Sequence, residues 1–174
     1  MEYRLEDALE TTFSCLVNNL IAQNISISAM ESCTSGLFAT MLTNTSGASE
    51  IFKGSFVTYS NEAKIKCGVS AECIEKHGVY SKETALEMAL ACQKVYGSIL
   101  GVGITGVLDR TDPSNPTTDH KVYYAIVWKN GYAFAGCIDE IPEELTDRMD
   151  RKRYVVWTIG EHLVTLLDIN AILK

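Results

Sequence analysis

Three short stretches of this sequence hold residue types that could do covalent chemistry. The first is Glu31-Ser32-Cys33-Thr34-Ser35-Gly36, which follows the alternating run Ile25, Ile27, Ala29 and precedes the apolar run Leu37 to Leu42. A strand that ends in a short polar turn and enters a helix exposes free backbone amides at the positive end of a helix dipole. Ser32 at that junction could be a nucleophile, with the amides of Cys33 and Thr34 as an oxyanion hole. Thr34, Ser35 and Gly36 could instead hold a phosphate. On local pattern alone the ordinary reading is that Ser32 or Thr34 is only a helix N-cap, worth about 1 kcal/mol.

The second stretch is Thr58-Tyr59-Ser60-Asn61-Glu62-Ala63-Lys64. A lysine on a short helix is ordinarily a solvated charge. It gains chemical meaning only if it faces Ser32, because burial disfavours the ammonium and turns the amine into a base, as in Ser-Lys variants of the catalytic triad. The third is Ile104-Thr105-Gly106, at the end of an apolar run. The C-terminal ends of strands are where open α/β sheets bind ligands, although a simple strand-ending turn reads the same way.

Other candidates are weaker. His77 precedes Gly78 at a helix end, where a partial positive charge suits the dipole. His120 borders a loop, His162 lies in the last helix, and no motif links any of them to Ser32. The six cysteines, Cys15, Cys33, Cys67, Cys73, Cys92 and Cys137, form no CxxC pair and no zinc-finger spacing with His. No metal is expected, and reduced core thiols in a reducing cytosol are.

The elements that must position these stretches follow from periodicity. Leu5, Ala8, Leu9, Phe13, Leu16, Val17 and Leu20 recur at helical spacing. Ile25, Ile27 and Ala29, alternating with Ser26 and Ser28, predict a strand. A loop over Asn44 to Ser49 leads to a second strand beginning at Phe56 and ending at Tyr59-Ser60-Asn61. Ser60 or Asn61 caps a short helix carrying Lys64; Ser70 caps another that stops at Gly78. Ser81 opens a helix with Ala85, Met88, Ala89, Cys92 and Val95 on one face and Gly97 closing it. Ile99 to Thr105 suits a central buried strand. Residues 106–120 read as a long polar loop without structure of its own. Val122 to Trp128, Asn130-Gly131 and Tyr132 to Cys137 predict a hairpin whose turn takes positive φ at Asn-Gly. Met149, Val156, Ile159, Leu163 and Leu167 mark an amphipathic helix over roughly Glu143 to Leu167. The predicted fold is a single three-layer α/β/α domain over residues 1–174, with a mixed, mostly parallel sheet.

With 47% hydrophobic and 21% charged residues, the chain has the composition of a globular domain rather than a disordered one. The net charge of -7 disfavours non-specific binding to nucleic acid or membrane, both anionic. The start MEYRLEDALE has no basic or apolar region of a signal peptide, and no apolar run approaches the roughly 20 residues of a bilayer span. A cytoplasmic location is expected.

Ala29-Met30-Glu31-Ser32-Cys33-Thr34-Ser35-Gly36 resembles the T-A-E-S-C-T-G-G signature of the CinA C-terminal family. Gly54-Ser55-Phe56-Val57-Thr58-Tyr59-Ser60-Asn61-Glu62-Ala63-Lys64 resembles its G-x-V-x-Y-S-N-E-A-K block. Gly68-Val69-Ser70, His77-Gly78-Val79-Tyr80-Ser81 and Ile104-Thr105-Gly106 follow in the family's order. The resemblance implies an α/β/α fold, frequent homo-oligomers, and deamidation of nicotinamide mononucleotide to nicotinate mononucleotide in pyridine nucleotide recycling. It is to the stand-alone form, without the molybdopterin-binding-like domain some members carry. Carried over by position, Ser32 is implied as nucleophile, Lys64 as its base and Tyr59 as a polar ligand or proton relay. Glu31, Cys33, Thr34, Ser35, Gly36, Asn61, Thr105 and Gly106 are implied as substrate-binding, with a small pyridine nucleotide as partner and no cofactor.

Two departures stand out. The family continues T-G-I-A-G-P with further glycines, then K-P-V-G-T, where this chain reads Thr105-Gly106-Val107-Leu108-Asp109-Arg110 and Asp119-His120-Lys121-Val122. Ser35 also replaces a signature glycine. Loss of glycines restricts how closely backbone approaches a ligand. An altered substrate preference, a different amide, a weak enzyme and a non-catalytic binding or regulatory module are the alternatives this leaves. Arg110 or Lys121 could supply phosphate contacts in place of the lost backbone, or be solvated loop charges.

Overall fold

The computed structural model describes residues 5–110, 112–117 and 120–172. Residues 1–4, and Thr111, Thr118 and Asp119 of the predicted loop, lie outside the described residues.

Helix α1 (Leu5–Ala22) leads to β1 (Ile27–Glu31), α2 (Leu37–Thr43), β2 (Phe52–Val57), the short helices α3 (Asn61–Lys66) and α4 (Ala71–His77), and α5 (Lys82–Tyr96). Strands β3 (Leu100–Gly106), β4 (Val122–Trp128) and β5 (Ala133–Ile138) follow, and α6 (Arg148–Ile172) ends the described chain. The sheet order is β2-β1-β3-β4-β5. β1 pairs in parallel with β2 and β3, whereas β3–β4 and β4–β5 are antiparallel. The sheet is therefore mixed but evenly divided, not mostly parallel as expected. The cause is that β3 passes to β4 and β4 to β5 with no intervening helix among the described residues, so neither connection is a crossover.

Both faces of the sheet are covered. On one side α1 buries Leu9, Phe13, Leu16, Val17 and Leu20 and α6 buries Val155, Val156, Ile159, Leu163 and Leu167 against Ile27, Ala29, Val102, Ile104 and Ile126. Phe13 meets Phe38 of α2 edge-on at 5.4 Å. On the other side Met88 and Cys92 of α5 pack on Met30, and Ala85 and Ala89 pack on Ala125 and Val127. Helix α5 lies so close that a Cβ on Gly103 would collide with the Ala85 carbonyl and the Ala89 amide nitrogen. Gly101, whose Cβ would meet the Ala89 carbonyl, and Gly103 are thus required by helix–sheet contact.

Several expectations are adjusted. The Ile/Ser alternation of β1 does not mark an exposed face: all five residues are buried, and Ser28 satisfies its hydroxyl against Ser98 Oγ at 2.7 Å. β2 begins at Phe52, four residues before the predicted start, and ends before Tyr59. Ser60, not Asn61, caps α3, accepting from the Ala63 amide at 3.1 Å. Val95 and Met149 are 61% and 44% exposed, off the buried faces assigned to them. α6 starts at Arg148 because Asp147 caps it, accepting from the Met149 and Asp150 amides. The hairpin turn has positive φ at Gly131 alone, and closes with the Trp128 amide donating to the Tyr132 carbonyl. Of the cysteines only Cys33 and Cys92 are buried; Cys15 is exposed and the others are half-buried.

The described part of the 106–120 loop is not structureless. Asp112 folds it into a turn, accepting from the Ser114 amide and from Asn115 Nδ2. Arg151 of α6 anchors it by donating to the Leu108 carbonyl at 2.6 Å. No helix among the described residues is long and apolar enough to cross a membrane.

Candidate active site

Parallel pairing puts the C-terminal ends of β1, β2 and β3 side by side, with Glu31 in register with Val57 and Ile104. The chain segments that leave these ends carry Ser32, Thr58 to Lys64, and Gly106 onwards. The three stretches therefore meet at one sheet edge.

The β1–α2 junction is organised by Glu31, which is fully buried. Its Oε2 accepts from the Gly36 and Phe38 amides at 3.0 and 3.1 Å and from Thr34 Oγ1 at 2.8 Å. Oε1 accepts from the Ala39 amide at 3.0 Å and from Ser55 Oγ at 3.4 Å. A carboxylate reaching from the strand thus does the work of an N-cap, complementing the start of the α2 dipole. Gly36, the residue before the helix, sits at φ 91 and makes no side-chain cap. Neither Ser32 nor Thr34 is the cap, so that alternative for Ser32 is removed.

Ser32 is held by its amide, which donates to the Ile104 carbonyl at 2.9 Å. Its carbonyl accepts from the Ser35 amide at 3.1 Å. The Cys33 and Thr34 amides make no hydrogen bond to another residue among the described residues, and these are the two amides nearest the serine hydroxyl in sequence.

Lys64 approaches Ser32 from α3. It is only 1% exposed, and its Nζ lies 3.0 Å from Ser32 Oγ and donates to the Thr58 carbonyl at 2.8 Å. Burial lowers its pKa from 10.5 to about 8, against the opposing pull of the Asp112 charge. An amine with that pKa is neutral about a tenth of the time at pH 7, against well under a thousandth for an unperturbed lysine. In the neutral form it keeps its donation to Thr58 while its lone pair can take the serine proton. Cys33, beside the serine, does not compete as a nucleophile, because burial pushes its thiol up to about 12.

Ser32 opens onto a cleft of about 760 Å³. Cys33, Tyr59, Asn61, Gly106, Leu108 and Tyr80 line it, with Arg110 and Arg148 as cations and Glu62, Asp109 and Asp112 as anions. Tyr80 is held neutral by burial and by the Asp112 charge, which push its phenol up to about 12. Arg148 pairs with Asp109 and donates to Tyr59 Oη at 3.4 Å. Asn61 Nδ2 donates to Asn115 Oδ1 at 2.8 Å, tying α3 to the loop across the cleft. Among the described residues no group of three His, Cys, Asp or Glu could hold a metal ion.

The implied site residues thus divide. Ser32, Lys64, Cys33, Asn61, Tyr59 and Gly106 come together at the cleft. Glu31, Thr34 and Thr105 do not reach it: Glu31 has all its acceptors engaged, Thr34 is bound to Glu31, and buried Thr105 donates to the Val79 carbonyl at 3.0 Å. They hold the wall from behind. Gly36 spends its amide on Glu31, and Ser35 faces Lys152 Nζ at 3.2 Å, outside the cleft lining. Tyr59 is 64% exposed and makes its hydrogen bond to Arg148, none to Ser32 or Lys64, so it is placed at the mouth rather than as a relay between them. Arg110 lines the cleft, whereas Lys121 pairs with Asp139 at 3.2 Å.

Tyr80, Asp112, Asn115 and Arg148 were not singled out in the sequence. For Arg148 a signal existed: a cation in the first turn of a helix opposes the dipole, so a basic residue directly after the Asp147 cap calls for another partner.

A family model, the CinA C-terminal domain, matches residues 9–138. A CinA-like protein of Kosmotoga olearia is 39% identical over 127 residues, covering 72% of this chain and 30% of the relative. One of Fervidobacterium nodosum is 40% identical over 113 residues, 64% of this chain and 28% of the relative. The chain spans less than a third of the length of these curated relatives. Among solved structures, the competence/damage inducible protein CihA from Agrobacterium tumefaciens superposes with a TM-score of 0.80 at 26% identity, over 91% of this chain and 95% of that one. A CinA superfamily protein from Klebsiella pneumoniae gives 0.83 at 20% identity over 92% and 98%, a shared fold.

Proposed function

The chain belongs to the CinA C-terminal domain family, and we propose that it hydrolyses the carboxamide of nicotinamide mononucleotide, giving nicotinate mononucleotide and ammonia. The observation that carries the reading is the buried 3.0 Å contact between Lys64 Nζ and Ser32 Oγ at the floor of the cleft.

Ser32 Oγ attacks the carboxamide carbon while its proton passes to the neutral Lys64 amine. The amide of Cys33, which lines the cleft beside the serine, donates to the oxyanion that develops. The tetrahedral intermediate collapses with cleavage of the C–N bond, and the Lys64 proton goes to the departing nitrogen, which leaves as ammonia. Water then attacks the nicotinoyl ester, giving its proton to Lys64, and Ser32 Oγ leaves with that proton. The net change is amide plus water to carboxylic acid plus ammonia. Tyr59 and Tyr80 offer aromatic surface to a cationic pyridinium ring, and Arg148 and Arg110 offer guanidinium groups to the phosphate.

Incubation with the mononucleotide and measurement of ammonia tests this directly. Release that disappears in Ser32→Ala supports it; no release by folded protein at high concentration rejects it. A second reading, a binding module without turnover, draws on the engagement of Arg148 by Asp109 on the departed loop. Thermal stabilisation by pyridine nucleotides without ammonia release would favour it.

A further inference from the structure

The cleft contains its own anion on its most prominent cation. Arg148 projects from the first turn of α6, where its charge opposes the helix dipole. The α6 amides at that end are already taken by Asp147, through the Met149 amide at 2.7 Å and the Asp150 amide at 3.3 Å. In the first turn of α6 it is therefore the Arg148 guanidinium, rather than these two amides, that can receive an anion, and Asp109 occupies it.

The placement of Asp109 is built rather than incidental. It follows Leu108, whose carbonyl is anchored by Arg151 at 2.6 Å, and its Oδ1 also accepts from the Arg110 amide at 2.6 Å. The Asp112 turn, tied through Asn115 to Asn61, holds the loop from the other end. Ser32 and Arg148 line the same cleft, so a substrate with its amide at Ser32 can extend toward this corner. Three carboxylates, Glu62, Asp109 and Asp112, face two guanidiniums, Arg110 and Arg148.

We propose that Asp109 is a specificity-determining residue: its carboxylate is an internal counterion on Arg148, which a phosphorylated substrate must displace and an unphosphorylated pyridinium riboside need not. The cleft thereby narrows, or reverses, the advantage a phosphate would have brought. The proposal rests on the deamidase reading for the identity of the substrate class, but not for the binding effect.

The test measures binding by calorimetry to the Ser32→Ala protein, with and without Asp109→Asn, using nicotinamide mononucleotide, nicotinamide riboside and inorganic phosphate. Asp109→Asn should tighten the mononucleotide and phosphate by about three- to tenfold and leave the riboside within about twofold. The gain should shrink as salt rises to about 0.5 M, because the contact is screened. Asp109→Glu, which restores the carboxylate, should return the parental ratio. Asp112→Asn removes the same charge from the cleft without touching Arg148 and should give a smaller gain. An equal gain there, no change of the mononucleotide-to-riboside ratio with Asp109→Asn, or no binding of mononucleotide and phosphate to either protein overturns the proposal. Failure of the deamidase reading shows separately, as absence of ammonia with Ser32 intact.

Discussion

Lys64 Nζ sits 3.0 Å from Ser32 Oγ although the two residues are 32 positions apart and neither is more than 5% exposed. The amine reaches the hydroxyl from behind the cleft wall, so it meets the serine without facing bulk water. That arrangement, a desolvated amine against a hydroxyl at a strand end, sets most of what can be tested.

Removing either partner should stop chemistry without unfolding the chain. Ser32→Ala and Lys64→Met should each cut ammonia release by about 10²- to 10⁴-fold, the range expected for a positioned base and its nucleophile. Lys64→Met should hold stability at pH 7 within about 1 kcal/mol, since it deletes a buried charge along with two hydrogen bonds. Urea unfolding beside the ammonia assay separates the two effects.

The lysine also fixes a pH profile. In the proposed mechanism Lys64 acts in its neutral form, so kcat/KM should rise with pH, by about tenfold per unit below the pKa, and level off above about 8. Stability follows the same group. Its folded pKa, about 8, lies below the unfolded 10.5, so the unfolded chain binds more protons between these values. Stability should therefore rise as pH rises through that window, by roughly 3 kcal/mol in all at about 1.4 kcal/mol per unit. Below pH 8 the full cost of burying the charge is present. Lys64→Met should lose this rise.

Glu31 should behave as a structural residue despite its place next to Ser32. Glu31→Ala strands the buried Phe38 amide and Thr34 hydroxyl and the half-buried Gly36 and Ala39 amides. A loss of about 3–5 kcal/mol is expected. Glu31→Gln, which turns an NH₂ toward amide donors, should cost about half as much. Urea midpoints at pH 7 check both.

Gly103→Ala should destabilise the domain by about 1–3 kcal/mol, because the added methyl meets α5 backbone, which cannot rotate away. Thermal unfolding reads this directly, and an unchanged Tm would mean that α5 shifts freely over β3.

Much of the site was legible in the order of residue types. The strand–turn–helix pattern around Ser32 and the Ser60-capped helix carrying Lys64 are local, set by periodicity and capping within a few residues. Residues behind the wall were misread for an equally physical reason. Thr34, Thr105 and Glu31 sit in motif stretches, yet whether a hydroxyl or carboxylate faces a ligand or a backbone amide depends on which segment lies above it. Tyr59 lies four residues after Ser55, which touches Glu31, but its side chain points to the mouth because Arg148, 89 positions away, meets it there.

Sequence alone determined the alternation of helices and strands, the reactive residue types, and their position at strand ends, since these depend on spacing, caps and turn chemistry along the chain. Tertiary structure decided the even split of the sheet, the burial that lowers Lys64, and the loan of Asp109 to Arg148. Each of these depends on contacts between segments far apart in the chain, and on the low-dielectric interior that forms only when the layers close.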